Sequence, residues 1–379
     1  MRKIVIASDS FKGSLSSLQV AQSVAKGLEI SCPDSQIVMV NVADGGEGTI
    51  DAIIDSLNGT RINIKARDPL SRPIDAYYGI AAHTAIIEMS QASGITLLSQ
   101  SERNPLLTST HGTGDIILDA LHRGCTRFLI GIGGSATNDA GTGMLQSLGF
   151  RFIDHNGCVI PHCNGSSLSL IASIDDSHVH PALKQASFSI ACDVDTPFCG
   201  IDGAAHIFAP QKGADSAMVE ALDCGMYSFA KVISQKYNID IIPIAGAGAA
   251  GGLGGAFKAF LNAQLMPGID MVLDTLQFDH IIDQASLIIT GEGHIDHQTP
   301  KGKTPAGVLR RGRAQNIPVI AIGGRVDMCD EVLQMGFADI FPVTPPHTPL
   351  HIAMQPHFAS EAIISLFSSG IIDCKKYFS

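Results

Sequence analysis

At 379 residues, 45 % hydrophobic and 16 % charged, the chain is long enough for two packed domains and too apolar to be disordered. A net charge of −11 and a pI near 5.6, with no basic run, argue against nucleic acid as the main partner, although a few local cations suffice to hold a small anion. Nine cysteines scattered without a CxxC pair exclude a disulfide frame and a zinc site, and imply reduced thiols in the cytoplasm.

The N-terminal apolar run ends at Ala7 and Asp9 follows, too short for a signal peptide. Ile4 to Ala7 reads as a buried strand, and Ser16 with Gln19 forms an S-x-x-Q capping box before a helix carrying Leu18, Ala21, Val24, Ala25 and Leu28 at helical spacing. A second strand, Ile37 to Val42, runs into "ADGGEGT" and a helix with Ile50, Ile53, Ile54 and Leu57 on one face, which completes a βαβα unit of a parallel sheet. From Arg61 the pattern turns to alternation in "RINIKA", "IDAYYGI" and "TAIIEM", which predicts antiparallel strands and a different domain. Ile241 to Phe257 is apolar but dense in glycine and ends at Lys258, so it does not read as a membrane span. Near the C-terminus the first rhythm returns: strand Ser286 to Thr290, helix Pro305 to Ala314, strand "VIAI", helix Asp330 to Met335, strand Asp339 to Val343. The expected organisation is α/β with two domains: a discontinuous parallel-sheet domain from residues 1–60 and 281–379, and a second α/β domain, 61–280, inserted into it.

Five predicted strands end in loops that carry a carboxylate: Asp9, Asp44, Asp139, Asp193, and Glu292 with Asp296. Ligands of open α/β sheets bind outside the carboxyl ends of strands. Acids beside glycine and cations there suit a magnesium and phosphate site, whereas any one of them alone is more often a cap or turn residue. Lys12 in "DSFKGS", Lys212 in "PQKGA", and Lys301 and Lys303 in "TPKGKT" each share a loop with glycine, from which an ammonium can reach a phosphate oxygen. "GKT" is not a P-loop, because His297 stands where that motif needs glycine. The stretch "GIGGSATNDAGTGM", Gly131 to Met144, follows a strand and precedes a helix, as phosphate loops do, yet it also contains Asn138 and Asp139. Gly131-x-Gly133-x-x-Ala136 with Asp154, and Gly246-x-Gly248-x-x-Gly251, keep open a dinucleotide-binding dehydrogenase of a small hydroxy acid. Against it, Asp139 would set negative charge beside a pyrophosphate. Cys192 and His111 are weaker candidates for nucleophilic catalysis.

Taken together, "DSFKGSLS", "VADGGEGT", "HGTGD", "GIGGSATND", "ACDV", "PQKGA", "GAGAAGG" and "GEGHIDHQT" resemble the type-1 glycerate kinase family, in motif order over nearly the whole chain. The resemblance implies ATP-dependent phosphorylation of D-glycerate to 2-phosphoglycerate. It also implies a flavodoxin-like domain interrupted by a domain of restriction-endonuclease-like type. Members usually carry Pro at Ser8, Gly at Ala140, Arg at His294 and Asn near Thr196, and "AIGGRVD" departs from their usual turn.

On this basis Asp193, Lys12 and Asp296 are the expected catalytic residues, with Asp193 accepting the proton of the acceptor hydroxyl. Gly133, Gly134, Ser135, Asn138, Lys212 and Lys303 are expected to bind nucleotide or phosphate. Asp9, Ser10, Asp44 and His294 are expected on the substrate, and Asp139 and Glu292 on Mg²⁺. Which loops take ATP and which take glycerate stays open. No nucleic-acid or membrane partner is expected.

Overall fold

The computed structural model describes residues 2–43 and 48–378, so Asp44, expected on the substrate, lies outside the described residues. In chain order the strands are β1 (Arg2–Ile6), β2 (Ser35–Met39), β3 (Thr60–Arg67), β4 (Pro73–Ala81), β5 (Thr84–Glu88), β6 (Arg127–Gly131), β7 (Arg151–Asp154), β8 (Ile171–Asp175), β9 (Ser187–Ala191), β10 (Gln264–Met266), β11 (Leu287–Ile295), β12 (Val319–Val326) and β13 (Asp339–Pro342). The chain divides into two compact units, one of Met1–Asp44, Asp51–Leu57 and Pro267–Ser379, the other of Gly45–Ile50 and Asn58–Met266.

The first unit is built on a parallel sheet in the order β13-β12-β11-β1-β2. Counted along the unit's own strands this is 2-1-3-4-5, the flavodoxin-like doubly wound order, and its switch point falls between β1 and β11. Ile4 and Ile6 of β1, Leu287 and Ile289 of β11, and Ile320 and Ile322 of β12 are buried with Val20, Val24, Leu28, Ile363 and Phe367 of the covering helices. Each such side chain contributes about 1.5–3 kcal/mol by leaving water. The helix Ser17–Ser31 starts at the expected capping box: Ser16 Oγ accepts the Gln19 N–H and Gln19 Oε1 accepts the Ser16 N–H. Gly27 of this helix has no room for a Cβ, which would lie 2.7 Å from that of Phe367.

The boundary expected at residue 281 moves upstream. Helix Gly268–Thr275 belongs to the first unit, where Ile269 packs onto Gly307 of helix Thr304–Ala314. Arg310 and Arg311 of that second helix pair with Asp270, Asp274 and Asp279. This segment precedes the returning strand rhythm, so strand periodicity alone assigned it to the insertion.

The second unit holds a six-stranded sheet, β10-β9-β6-β5-β4-β3. Its β3-β4-β5 edge is the antiparallel meander expected from the alternation, while β5, β6, β9 and β10 run parallel. The loops after β5, β6 and β9 therefore emerge side by side, since Glu88 pairs with Gly131 and Gly131 with Ala191. Strands β7 and β8 form a separate hairpin. Among the described residues no helix is long and apolar enough to cross a membrane. The glycine-rich stretch before Phe257 instead packs backbone to backbone: Ala140 N–H donates to Gly251 O at 3.0 Å, and a Cβ on Gly251, at φ +70°, would stand 2.1 Å from Thr137 O.

Candidate functional site

In the first unit, β1 and β11 deliver their carboxyl-end loops to one cavity of about 760 Å³. It gathers Asp9, Ser10, Lys12, Glu292, His294 and Lys303 from the expected set, and adds Arg325 from β12. Asp9 is buried, with Oδ1 accepting the Ser10 N–H at 2.6 Å and Oδ2 accepting the Thr304 hydroxyl at 3.0 Å. Glu292 is buried too and accepts the Thr299 hydroxyl, with Lys303 Nζ 3.4 Å from its other oxygen. Burial pushes the Glu292 carboxyl above the usual range, against the pull of Thr299 and Lys303. Lys303 also stands 3.7 Å from Asp296. Partial burial of Asp296 works toward a higher pKa, but the Gln298 amide and the Lys303 and His294 charges outweigh it and hold the group low. His294 lies between two acids, its Nε2 2.8 Å from Asp327 and its Nδ1 3.6 Å from Asp296.

The sequence pattern alone does not single out Arg325, in "GGRVD". Its signal is a cation at the end of β12, next to the switch-point strand, paired in register with His294.

In the second unit, Gly133 and Gly134 are exposed and line a cavity of about 420 Å³ with Glu88, Ser90, Gln91 and Thr96. Glu88 belongs to the same pattern of strand-end acids. It ends β5 just as the other carboxylates end their strands, is buried, and accepts the Ile50 N–H at 3.1 Å. Ser135 is buried, and beneath it Lys212, 2 % exposed, donates to Ser135 Oγ and Thr137 O, both at 2.7 Å. Burial pulls the Lys212 ammonium down to about 7, while the Asp139 charge acts the other way. Lys212 thus braces the glycine loop from below. Asn138 is wholly buried, its amide 3.2 Å from Met226 Sδ, so it packs inside the loop and does not reach a phosphate.

Asp139 requires a correction of the expected metal role. It is wholly buried and accepts the Thr110 N–H and hydroxyl, the Gly141 and Gly143 N–H groups, and at longer range the Ser109 hydroxyl. These donors open the helices His111–His122 and Thr142–Ser147, so the carboxylate occupies the place a bound anion takes at a helix N-terminus. Burial raises its pKa and the donors oppose the rise. The acid in the glycine loop neither repels a ligand nor holds a metal; it fills the helix starts. Asp193 lies exposed, two residues beyond the end of β9.

The rival chemistries lose their geometry. Asp154 sits in the β7 hairpin turn, accepting the Asn156 and Cys158 N–H groups, and is not placed as a ribose ligand after β6. The second glycine fingerprint is consumed by packing: Gly246 lies against Cys192 and Val194, Gly248 against Pro197, and Gly251 against Thr137 and Asn138. Burial pushes the Cys192 thiol up, and His111 is committed to Ser109 and Gln146, so neither forms a nucleophile pair.

A model described as the glycerate kinase family matches residues 4–365. The chain belongs to the glycerate kinase family. It is 44 % identical to the glycerate kinase of Halalkalibacterium halodurans, over 94 % of each chain. It is 45 % identical to the glycerate 2-kinase of Escherichia coli K12, over 90 % of each. The crystal structure of a Salmonella typhimurium LT2 protein described as a glycerate kinase 2 superposes with a TM-score of 0.89 at 39 % identity, covering 99 % of this chain and 98 % of that one. A kinase family takes ATP as its phosphoryl donor and a small molecule as acceptor; the dehydrogenase reading has no support among these relatives.

Proposed function

We propose that the chain transfers the γ-phosphoryl group of ATP to the 2-hydroxyl of D-glycerate, releasing ADP and 2-phosphoglycerate. The observation that carries this reading is the meeting of Lys12, Lys303, Asp9 and Glu292 at the switch point of the first sheet, in a chain of this family. In the reaction the bond between the glycerate 2-oxygen and γ-phosphorus forms as the β,γ-bridging bond breaks, and the hydroxyl proton passes to a carboxylate. We assign that proton to Asp193, which a solvent-facing place at the end of β9 suits. Lys12 and Lys303 neutralise charge on the phosphoryl oxygens. Asp296 keeps Lys303 directed, and Ser10 and His294 contact substrate. Gly133, Gly134 and Ser135 offer backbone and hydroxyl donors in the second unit, with Lys212 holding their loop in shape.

Mg²⁺ enters as part of the MgATP substrate. Among the described residues no group of three or more acidic, histidine or cysteine side chains is arranged to hold a metal. Mg²⁺ is commonly held by one or two carboxylates together with substrate phosphates, and Asp9 and Glu292 fit that donor set, each with one oxygen already fixed by a hydroxyl. The nine free cysteines fit a reducing cytoplasm, and the acidic net charge speaks against a nucleic-acid partner.

The test is ADP release from ATP and D-glycerate, with and without Mg²⁺, followed by separation of 2- from 3-phosphoglycerate. Absence of glycerate-dependent ADP overturns the reading, and a 3-phospho product overturns its regiochemistry.

A further inference from the structure

The two cavities differ in size, charge and wall chemistry, and those differences separate the ligands. The cavity of the first unit is the larger, about 760 Å³ against about 420 Å³. It is lined by the cations Lys12, Lys303 and Arg325 and by apolar side chains, among them Val326, Val343 and Met354. Among the described residues, the lining of the second unit's cavity includes Asp75, itself paired with Lys65 at 2.7 Å, and Glu88, and no lysine or arginine. A triphosphate placed there would find no lining ammonium or guanidinium among the described residues to neutralise it. A purine also needs an apolar slot, and pockets for such ligands are mostly apolar with a few placed polar groups.

Two further observations point the same way. The larger cavity opens at the switch point between β1 and β11, where doubly wound sheets bind their ligands. Ser14, which also lines it, has a buried hydroxyl with no hydrogen-bond partner among the described residues, a donor left for a ligand.

We infer that the nucleotide binds in the cavity of the first unit, its base against Val326, Val343 and Met354 and its phosphates toward Lys12 and Lys303. This revises the expectation that the glycine loop of Gly133 and Gly134 carries the nucleotide phosphates. It rests on the kinase reading for the identity of the ligand, and on this cavity alone for its place. The short helix after the glycine loop supports the revision, because Asp139 already takes its first amides.

The experiment is calorimetric titration of the full-length protein with ATP in excess Mg²⁺, for the wild type and three variants. Met354→Trp crowds the apolar wall of the first cavity, Lys12→Ala removes a phosphate contact there, and Thr96→Trp fills the exposed mouth of the second cavity. Circular dichroism and thermal melts confirm that each variant is folded. The expected result is a Kd for ATP at least tenfold weaker in both Met354→Trp and Lys12→Ala, and within threefold of wild type in Thr96→Trp. Weakening by Thr96→Trp alone, or no weakening by either first-cavity variant, overturns the assignment. Glycerate-dependent ADP release separates the two readings. If ADP forms but the KM for ATP ignores Met354→Trp and Lys12→Ala, the nucleotide site is wrong and the kinase stands. If ATP binds as expected but no ADP forms, the site stands and the kinase reading fails.

Discussion

Asp139 accepts both the backbone N–H and the hydroxyl of Thr110, each at 2.8 Å, and so ties together the starts of two helices that lie apart in sequence. It also accepts the Gly141 and Gly143 N–H groups and, at 3.3 Å, the Ser109 hydroxyl. Asp139→Asn replaces one acceptor oxygen with an NH₂ group that faces donors. Each buried donor left without a partner costs about 1–3 kcal/mol. With two or more affected, the expected loss is about 3 kcal/mol or more in urea unfolding, with the Mg²⁺ concentration for half-maximal rate unchanged. Near-normal stability together with a shifted Mg²⁺ requirement would restore the metal role.

His111 predicts how stability responds to acid. The ring is buried, with Nδ1 2.7 Å from Ser109 Oγ and Nε2 3.0 Å from Gln146 Oε1, and burial, aided by the Arg67 charge, lowers its pKa to about 4. An unfolded histidine titrates near 6.5, so between these values the unfolded chain binds the extra proton. The stability is fully present above about 6.5 and drains away as pH falls toward 4, amounting to about 2 kcal/mol at pH 5. Other groups titrate over the same range, so the measurement is the difference between wild type and His111→Gln in urea unfolding at pH 7 and pH 5. The variant is expected to be less stable at pH 7 but to lose about 2 kcal/mol less between the two pH values. Parallel losses would show that His111 does not carry the effect.

Features written in adjacent residues were legible before folding. The Ser16 and Gln19 cap is complete within four residues, and carboxylates at strand ends announced the cavity of the first unit because sheet topology sends those ends to one side. What stayed hidden depends on partners distant in sequence. Asp139 cannot be distinguished from a metal ligand until Thr110, 29 residues away, is seen to fill it. Lys212 reads as a phosphate contact until Ser135, 77 residues away, is found to cover it. Helix Gly268–Thr275 was misplaced for the same reason: its amphipathic pattern says that it packs, not upon what.

Asp193 is the residue whose change separates chemistry from binding. Asp193→Asn keeps the shape of the exposed side chain and removes its capacity to take a proton. General-base catalysis is worth roughly a hundredfold to ten-thousandfold, so kcat should fall by about a hundredfold or more. The KM for ATP and the unfolding midpoint should stay close to wild type. Single-turnover kinetics, which isolate the transfer step from product release, provide the check. Turnover near the wild-type rate would reduce Asp193 to a surface carboxylate.

Ala140 occupies a backbone position that favours glycine: φ is +51° and the residue is fully buried. A left-handed backbone costs a non-glycine residue about 1–2 kcal/mol. Ala140→Gly removes that cost, but it also loosens the unfolded chain by about 0.4–1 kcal/mol and withdraws a buried methyl worth about 0.8 kcal/mol. The terms nearly cancel, so the expected change in unfolding free energy is within about 1 kcal/mol of zero, which explains how this chain tolerates alanine. A larger side chain finds no such balance. The Ala140 Cα is already 2.9 Å from where a Cβ on Gly252 would stand, and Ala140 N–H must keep its bond to Gly251 O. Ala140→Val adds branching to a left-handed residue in a closed space and is expected to cost about 3 kcal/mol or more. Urea unfolding of the two variants tests both statements. A stabilisation above 1 kcal/mol in Ala140→Gly would mean that strain dominates at this turn, and a mild Ala140→Val would mean that the loop can move away from Gly251.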